Sequence, residues 1–257
     1  MALVAAAVVP HSPLLMPTIA KEHTARSERI RTALLEVGLE LYAAQPDVVI
    51  VLTPHGLSPA TIPTIEVSDV VTGDLRVFGD LTTTLKLAGG IALSHRLKEA
   101  AEDANIPLLL QTAGGLDYGV TVPWLSMWPE PMPWAVVPFA IPPQSMEQSV
   151  RIGEVLRECC QSQSTRIAIL ASGDTSRRSR DMSEAARRPT ADERVMSEAI
   201  VQNNIGRLTE LKTNDACLRH PLAVLLATLH GLPWRGHINA FDVPLTVGQL
   251  VAGFASA

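Results

Sequence analysis

Two histidines follow apolar runs in the same local context. His11 comes directly after Pro10, and His55 directly after Pro54. Each proline holds the backbone extended where the apolar run ends, which suits a rigidly placed ligand. Imidazole binds iron, zinc, copper and nickel, and two histidines with a carboxylate form the facial triad of ferrous oxygenases. We therefore interpret His11 and His55 as metal ligands. Two loop histidines that merely cap strands are the alternative, which the repeated context disfavours.

Weaker candidates lie in three glycine-containing segments and at one further histidine. The turn at Ser172, Gly173 and Asp174 would present backbone amides and a carboxylate to a pocket, although it is equally a helix-capping turn. His220, ahead of an apolar helical segment, could face the same cleft. Phosphate loops, dinucleotide fingerprints, nucleophile elbows and Cys-x-x-Cys pairs are absent from the sequence, which disfavours those chemistries. The three segments are residues 114–119, 171–177 and 241–248.

The elements that must position these residues alternate between apolar strand-like runs and segments with helical spacing. This alternation predicts the α/β class, with a mostly parallel or mixed central sheet and helices on both faces. Ligands in such folds bind at the carboxyl ends of strands, so the active site is expected there. The predicted strands are residues 3–9, 48–53, 107–111, 135–140 and 166–171. The predicted helices are residues 21–44, 90–105, 145–160, 191–211 and 221–229; residues 241–254 are predicted as a turn entering a helix, and residues 175–188 as a mobile or protruding loop.

Length and composition indicate one domain over residues 1–257, with 47% hydrophobic and 18% charged residues. A net charge of −5 argues against nucleic-acid binding, which needs clustered lysine and arginine. The apolar N-terminus lacks the basic start of a secretory signal, and no apolar run approaches the roughly 20 residues of a membrane helix. We expect a cytoplasmic protein that contacts neither nucleic acid nor membrane. Its cysteines, expected to be reduced and structural, are Cys159, Cys160 and Cys217.

Five short segments, taken in order, resemble the class III extradiol ring-cleavage dioxygenases, the family of the catalytic subunit of protocatechuate 4,5-dioxygenase. The resemblance spans the whole chain, and it depends on the order and spacing of the segments rather than on one motif. It implies a mixed sheet between helices. The segments are Val8-Val9-Pro10-His11-Ser12-Pro13-Leu14-Leu15, Thr53-Pro54-His55-Gly56, Leu116-Asp117-Tyr118-Gly119 with Val122-Pro123, Ala171-Ser172-Gly173-Asp174-Thr175-Ser176, and Phe241-Asp242-Val243-Pro244 with Val247-Gly248.

The resemblance implies a ferrous iron site. Two histidines and a glutamate hold the iron in that family, and they correspond here to His11, His55 and Asp242. Aspartate has a stem one methylene shorter, so it reaches a metal only if the backbone moves inward or a water bridges the gap. The alternatives to Fe(II) are another divalent metal or no metal.

Two positions depart from the family pattern. Tyr118 stands where the family commonly has the histidine of Asp-His-Gly, and Arg177 where it has the histidine of Gly-Asp-Leu-Ser-His. Tyrosine titrates near pH 10 and arginine stays protonated, so neither can exchange a proton near neutral pH as a histidine does. Tyr118 is expected to donate a hydrogen bond and Arg177 to orient an anionic substrate. With His220, they are the candidates for the catalytic roles of the missing histidines.

Two hypotheses follow. In the first, iron binds a catechol- or aminophenol-type aromatic beside dioxygen, and the ring opens next to the hydroxyl-bearing carbons. In the second, the chain is a non-catalytic companion subunit or metal-binding protein that keeps the scaffold alone. A third possibility, a zinc-dependent hydrolase or lyase in the same pocket, would show as activity that does not depend on dioxygen. We expect a homo- or hetero-oligomer, and the cluster of Trp124, Trp128 and Trp134 indicates a subunit contact, a pocket wall or ordinary core packing.

Overall fold

A nine-stranded mixed sheet lies at the centre of the computed structural model, which describes residues 2–56, 61–129, 131–177, 188–212 and 216–256. Most of the loop predicted at residues 175–188 lies outside the described residues. In chain order the strands are β1 (Leu3–Val9), β2 (Val48–Thr53), β3 (Thr64–Glu66), β4 (Val70–Leu75), β5 (Asp80–Ala88), β6 (Leu109–Gln111), β7 (Ala135–Ala140), β8 (Ile167–Ser172), β9 (Ser176–Arg177), β10 (Trp234–Asp242) and β11 (Val247–Ser256).

The order of the strands decides which loops meet. It is β10, β11, β1, β8, β2, β7, β3 and β6, with β9 paired to β11 and with β4 and β5 forming a separate hairpin. Strands β1, β8, β2 and β7 are parallel to one another. Strand β11 is antiparallel to both β1 and β10. The carboxyl ends of β1, β8 and β2 therefore lie side by side at one edge of the sheet.

Helices cover both faces of this sheet, which confirms the predicted fold class. Alternate residues of β1 divide between two cores: Ala6 and Val8 pack with the helices on one face, whereas Ala7 and Val9 pack with those on the other. Burial on both faces explains why these strands are apolar without alternation. No described helix is long and apolar enough to cross a membrane. The helices are α1 (Pro17–Ala20), α2 (Glu28–Ala43), α3 (Ile91–Asp103), α4 (Tyr118–Met127), α5 (Met146–Gln161), α6 (Ala191–Val201) and α7 (Arg219–Leu229).

Several predicted elements were wrong or incomplete. Residues 241–254, predicted to enter a helix, instead finish β10 and begin β11, because an apolar run buried on both faces lacks the alternation that distinguishes a strand from a helix. The helix predicted over residues 191–211 ends at Val201 and is followed by a 3-10 segment. The β4–β5 hairpin was missed, and so was α4, which begins inside the glycine-containing segment 114–119.

The three clustered tryptophans are part of the core. Trp124, Trp128 and Trp134 are at most 6% exposed. The ring centroids of Trp124 and Trp128 are 4.9 Å apart, and those of Trp128 and Trp134 are 5.1 Å apart. The Trp128 ring nitrogen donates a hydrogen bond to the Gly38 carbonyl on α2. Of the three interpretations, core packing accounts for these contacts.

A buried carboxylate ties the β4–β5 hairpin to the segment that follows His11. Asp80 accepts hydrogen bonds from the hydroxyls of Thr18 at 2.6 Å, Thr83 at 2.5 Å and Thr82 at 2.9 Å. These bonds, led by the one from Thr18, hold the pKa of Asp80 well below its usual range. The stabilisation from the charged carboxylate is therefore complete above the unfolded-state pKa of about 3.9 and is lost as the pH falls toward the folded-state pKa.

We predict that Asp80→Asn lowers the melting temperature at pH 7, because the new amide faces hydroxyl and backbone donors. The difference from wild type should narrow as the pH falls below about 4. Thermal unfolding followed by circular dichroism at several pH values measures both effects. Asp69→Asn, at an exposed position beside the same hairpin, is the control and should leave the melting temperature unchanged. A difference that stays constant from pH 7 to pH 2 would contradict the prediction.

Candidate functional site

The two histidines predicted to bind metal come together at the carboxyl edge of the sheet. His11 lies two residues beyond β1, and His55 two residues beyond β2. Strand β8, which ends at Ser172, lies between them in the sheet. Parallel pairing brings all three strand ends to one edge, which is where the sequence predicted the site.

Three ligand atoms converge there. The Nε2 atoms of His11 and His55 are 3.4 Å apart, and the Sγ atom of Cys217 is 3.4 Å from Nε2 of His11. All three atoms lie within 4.8 Å of one another. In the part of the chain that the structure describes, the side chains of His11, His55 and Cys217 form the cluster that could hold a metal ion.

The spacing of these atoms fits one metal ion. Two imidazole nitrogens at about 2.1 Å from a tetrahedral metal stand about 3.4 Å apart, and a thiolate at about 2.3 Å stands about 3.6 Å from each nitrogen. The separations of 3.4 Å from Nε2 of His11 to Nε2 of His55 and to Sγ of Cys217 agree with these values, and the remaining pair lies within 4.8 Å. Imidazole suits iron, zinc, copper and nickel, and thiolate favours the softer of these ions. The residues present therefore fit a bound transition metal.

Burial sets the charge states of the ligands. Desolvation, with the nearby His55 and Arg177, lowers the pKa of His11 well below its usual range. Desolvation, followed by Arg177, lowers the pKa of His55 to about 4. Both imidazoles are thus neutral near pH 7, the form that binds metal. Burial, then Asp174, raises the pKa of Cys217 to about 12, so a metal must displace the thiol proton in order to bind sulfur.

Asp174 connects the loops that carry two of these ligands. Its carboxylate accepts a hydrogen bond from the backbone N–H of His11 at 3.3 Å. Its own N–H lies 3.2 Å from Sγ of Cys217, and its carbonyl accepts from the N–H of Leu218 at 3.2 Å. Burial raises the pKa of Asp174 to about 7. Asp174 thus fixes the loop after β1, through its side chain, against the segment before α7, through its backbone.

Tyr118 lies in direct contact with the centre. Its phenol oxygen is 2.7 Å from Nε2 of His55, and burial raises its pKa to about 12, so it is a protonated donor near neutral pH. Its place is set by Asp117, which caps α4 by accepting a hydrogen bond from the N–H of Gly119 at 2.6 Å. The same carboxylate accepts a hydrogen bond from the hydroxyl of Thr53 at 3.0 Å, which ties α4 to the end of β2.

Arg177 reaches the site electrostatically. It pairs with Val247 in the short β9–β11 ladder. Its positive charge adds to the burial that lowers the pKa values of His11 and His55, and it partly offsets the burial that raises the pKa of Tyr118. Of the six residues predicted for the site, the structure therefore brings together His11, His55 and Tyr118, while the exposed Arg177 acts on them through its charge.

Asp242 and His220 lie outside the group of three ligands. Asp242 ends β10, and its carboxylate accepts a hydrogen bond from the N–H of Val243 at 2.7 Å. Strand β11 lies between β10 and β1, so the backbone at Asp242 is about two strand spacings, roughly 10 Å, from β1. His220, at the start of α7, has its Nδ1 atom 3.1 Å from the hydroxyl of Ser149 on α5. The structure thus places a cysteine where the sequence predicted a carboxylate.

Cys217 is the residue that the sequence analysis missed. The interpretation of all three cysteines as structural thiols fits Cys159 and Cys160, which are buried in α5. Cys217 is 206 residues from His11 along the chain, and no local motif marks it. The only sequence signal was its place three residues before His220, at the start of a helix predicted to be central.

Comparison with known proteins relates this chain to a protein family, a curated relative and a solved structure. The profile of the family described as "Catalytic LigB subunit of aromatic ring-opening dioxygenase" matches residues 5–253. "Protein CA_C1420" of Clostridium acetobutylicum is 20% identical over 94% of this chain, and the chain spans only 55% of that relative's length. The crystal structure of uncharacterized protein JW3007 from Escherichia coli K12 has a TM-score of 0.64 at 14% identity, covering 98% of this chain and 99% of that chain. At this identity the structural match shows a shared fold alone.

The cluster of His11, His55 and Cys217 leads to a direct prediction about metal affinity. Cys217→Ser should weaken zinc binding by at least about tenfold, because a hydroxyl is a much poorer ligand than a thiolate. Asp242→Asn should leave the affinity within about threefold of wild type, a change well below the losses typical of residues that support a metal site. Competition with a chromophoric chelator measures both constants. A larger loss in Asp242→Asn than in Cys217→Ser would restore Asp242 as the third ligand.

Proposed function

Because the chain belongs to the family of catalytic LigB subunits of aromatic ring-opening dioxygenases, we propose that it opens a catechol- or aminophenol-type ring with dioxygen at a ferrous iron site. The observation that supports this most is the convergence of the His11, His55 and Cys217 ligand atoms within 4.8 Å of one another. A bound metal would supply a common binding point for the aromatic and dioxygen and a path for electron density between them.

Arg177 binds the substrate in this proposal. Its guanidinium stays protonated at all physiological pH values and presents several donors. A catechol that loses a proton acquires a phenolate oxygen, which accepts charge-assisted hydrogen bonds from such a group. The influence of the Arg177 charge on the pKa values of His11, His55 and Tyr118 supports a position near these three residues.

Tyr118 and His220 handle protons and hydrogen bonds. The Tyr118 phenol keeps its proton near pH 7, and once a metal occupied the Nε2 lone pair of His55, the hydroxyl would be released to donate a hydrogen bond toward the reacting oxygens. His220 is neutral near pH 7, because burial and the neighbouring Arg219 lower its pKa. The Ser149 hydroxyl donates to the Ser145 carbonyl and so accepts from Nδ1 of His220, which leaves Nε2 as the atom that would accept a substrate proton.

A non-catalytic, metal-binding member of the same family is the second candidate. Two observations favour it: the donor group contains Cys217 instead of a carboxylate, and Tyr118 and Arg177 stand where histidines are expected. A fold shared with enzymes does not by itself confer activity. Such a protein would bind the metal, alone or as a companion subunit, without consuming dioxygen.

We predict that protein loaded anaerobically with ferrous iron consumes one molecule of dioxygen per molecule of aromatic from a catechol and aminophenol panel. The ring-opened product should appear as a new absorption band. His11→Ala should abolish both signals, because the iron loses a buried ligand. An oxygen electrode and a spectrophotometer follow the two signals together.

His95→Ala, at an exposed position on α3, is the matched control and should retain full activity. Iron binding without oxygen uptake on any aromatic of the panel would favour the non-catalytic member. Turnover that continues with zinc under nitrogen would instead identify a hydrolase or lyase.

Replacement of Arg177 separates substrate binding from chemistry. Arg177→Gln removes a charge-assisted interaction worth about 1.5–3 kcal/mol, so KM for the aromatic should rise roughly tenfold or more while kcat changes less. Arg177→Lys keeps the positive charge and should recover part of this loss. Steady-state kinetics across substrate concentrations measure the split. An unchanged KM in Arg177→Gln would remove Arg177 from the substrate site.

A further inference from the structure

A buried serine contacts the ring of His11 on the side opposite the converging ligand atoms. We propose that Ser172 is a positioning residue that holds His11 in the tautomer with its proton on Nδ1 and its lone pair on Nε2. The proposal rests on the function proposed above, since it concerns how one metal ligand is prepared. It follows from hydrogen bonds alone.

The number of available protons determines the tautomer. The Ser172 hydroxyl lies 2.5 Å from the carbonyl oxygen of Gly119 and 3.1 Å from Nδ1 of His11. A carbonyl only accepts, so the single hydroxyl proton goes to Gly119. The Ser172 oxygen can then only accept from His11, and Nδ1 must carry the ring proton. A neutral imidazole with Nδ1 protonated has its lone pair on Nε2.

The Nε2 lone pair created in this way points at the other ligands. Nε2 of His11 is 3.4 Å from Nε2 of His55 and 3.4 Å from Sγ of Cys217. A metal ligand needs an unprotonated nitrogen, and the hydrogen bond at the other ring nitrogen fixes which one is free. Ser172 thus supplies on β8 the outer partner that a ligating histidine requires.

The partners of Ser172 are themselves held in place. Ser172 and His11 are at most 1% exposed, so water does not compete for these hydrogen bonds. The N–H of Gly119 donates to Asp117, so Gly119 is held through the peptide group before it as well as through its carbonyl. A side chain at Gly119 would overlap the hydroxyl of Thr53, which explains why glycine occupies the first turn of α4 at this contact.

The tautomer can be measured in the metal-free protein. Long-range ¹H–¹⁵N spectra of histidine-labelled protein distinguish a protonated Nδ1 from a protonated Nε2, and the His11 signals are identified by their loss in His11→Gln. We expect wild type to show a protonated Nδ1. Ser172→Ala should shift the population toward a protonated Nε2, because nothing then selects Nδ1. Ser172→Thr keeps the hydroxyl and should keep the wild-type pattern.

Zinc affinity, measured with the metal alone, gives the second readout. Ser172→Ala should bind zinc about 10- to 100-fold more weakly, the usual loss when the outer partner of a ligating histidine is removed. Ser94→Ala removes another buried serine hydroxyl, which bonds the Gly90 carbonyl on α3, and should leave both the tautomer and the affinity unchanged.

The outcomes separate this inference from the proposed function. A wild-type spectrum with Nε2 of His11 protonated overturns the inference even if metal binds, and this test needs no variant to fold. An unchanged tautomer in Ser172→Ala also overturns it. A protonated Nδ1 that depends on Ser172, in a protein that opens no aromatic ring, supports the inference and contradicts the proposed function.

Discussion

The spacing of neighbouring strands limits which side chains can share one metal ion in this fold. Strands β1, β8 and β2 lie side by side, about 4.8 Å apart, and end at the same edge. Histidines two residues beyond β1 and β2 can therefore meet above the end of β8, where Ser172 contacts one of them. The hydrophobic layers on both faces hold these three strands in register, so the geometry of the site depends on the whole core.

The third of the converging ligand atoms comes from outside the sheet. Asp242 lies at the end of β10, with β11 between it and β1, and its carboxylate is not among those atoms. Cys217 lies on the segment before α7, and Asp174 fixes that segment to the loop after β1. At the proposed site, a soft sulfur in place of a hard carboxylate would change which metals bind best. The chain thus belongs to the LigB family and has a cysteine among its converging ligand atoms.

The sequence predicted the parts of the site that depend on local pattern. His11 and His55 were found because each follows a proline at the end of a buried strand. Cys217 and Ser172 were not assigned their roles, because a contact between residues 206 or 161 positions apart leaves no periodicity in the sequence. Strand β11 was mistaken for a helix because it is apolar and buried on both faces, so its sequence lacks the alternation of a half-buried strand. Local pattern thus predicts elements, and the sheet order predicts which of them meet.

X-ray absorption at the zinc edge tests the central claim most directly, because zinc is a redox-inert occupant of the site. The account predicts one sulfur neighbour at about 2.3 Å and imidazole nitrogens at about 2.0–2.1 Å, with the sulfur signal lost in Cys217→Ser. A first shell of nitrogen and oxygen alone, unchanged by that substitution, would contradict the assignment of His11, His55 and Cys217 as the metal centre.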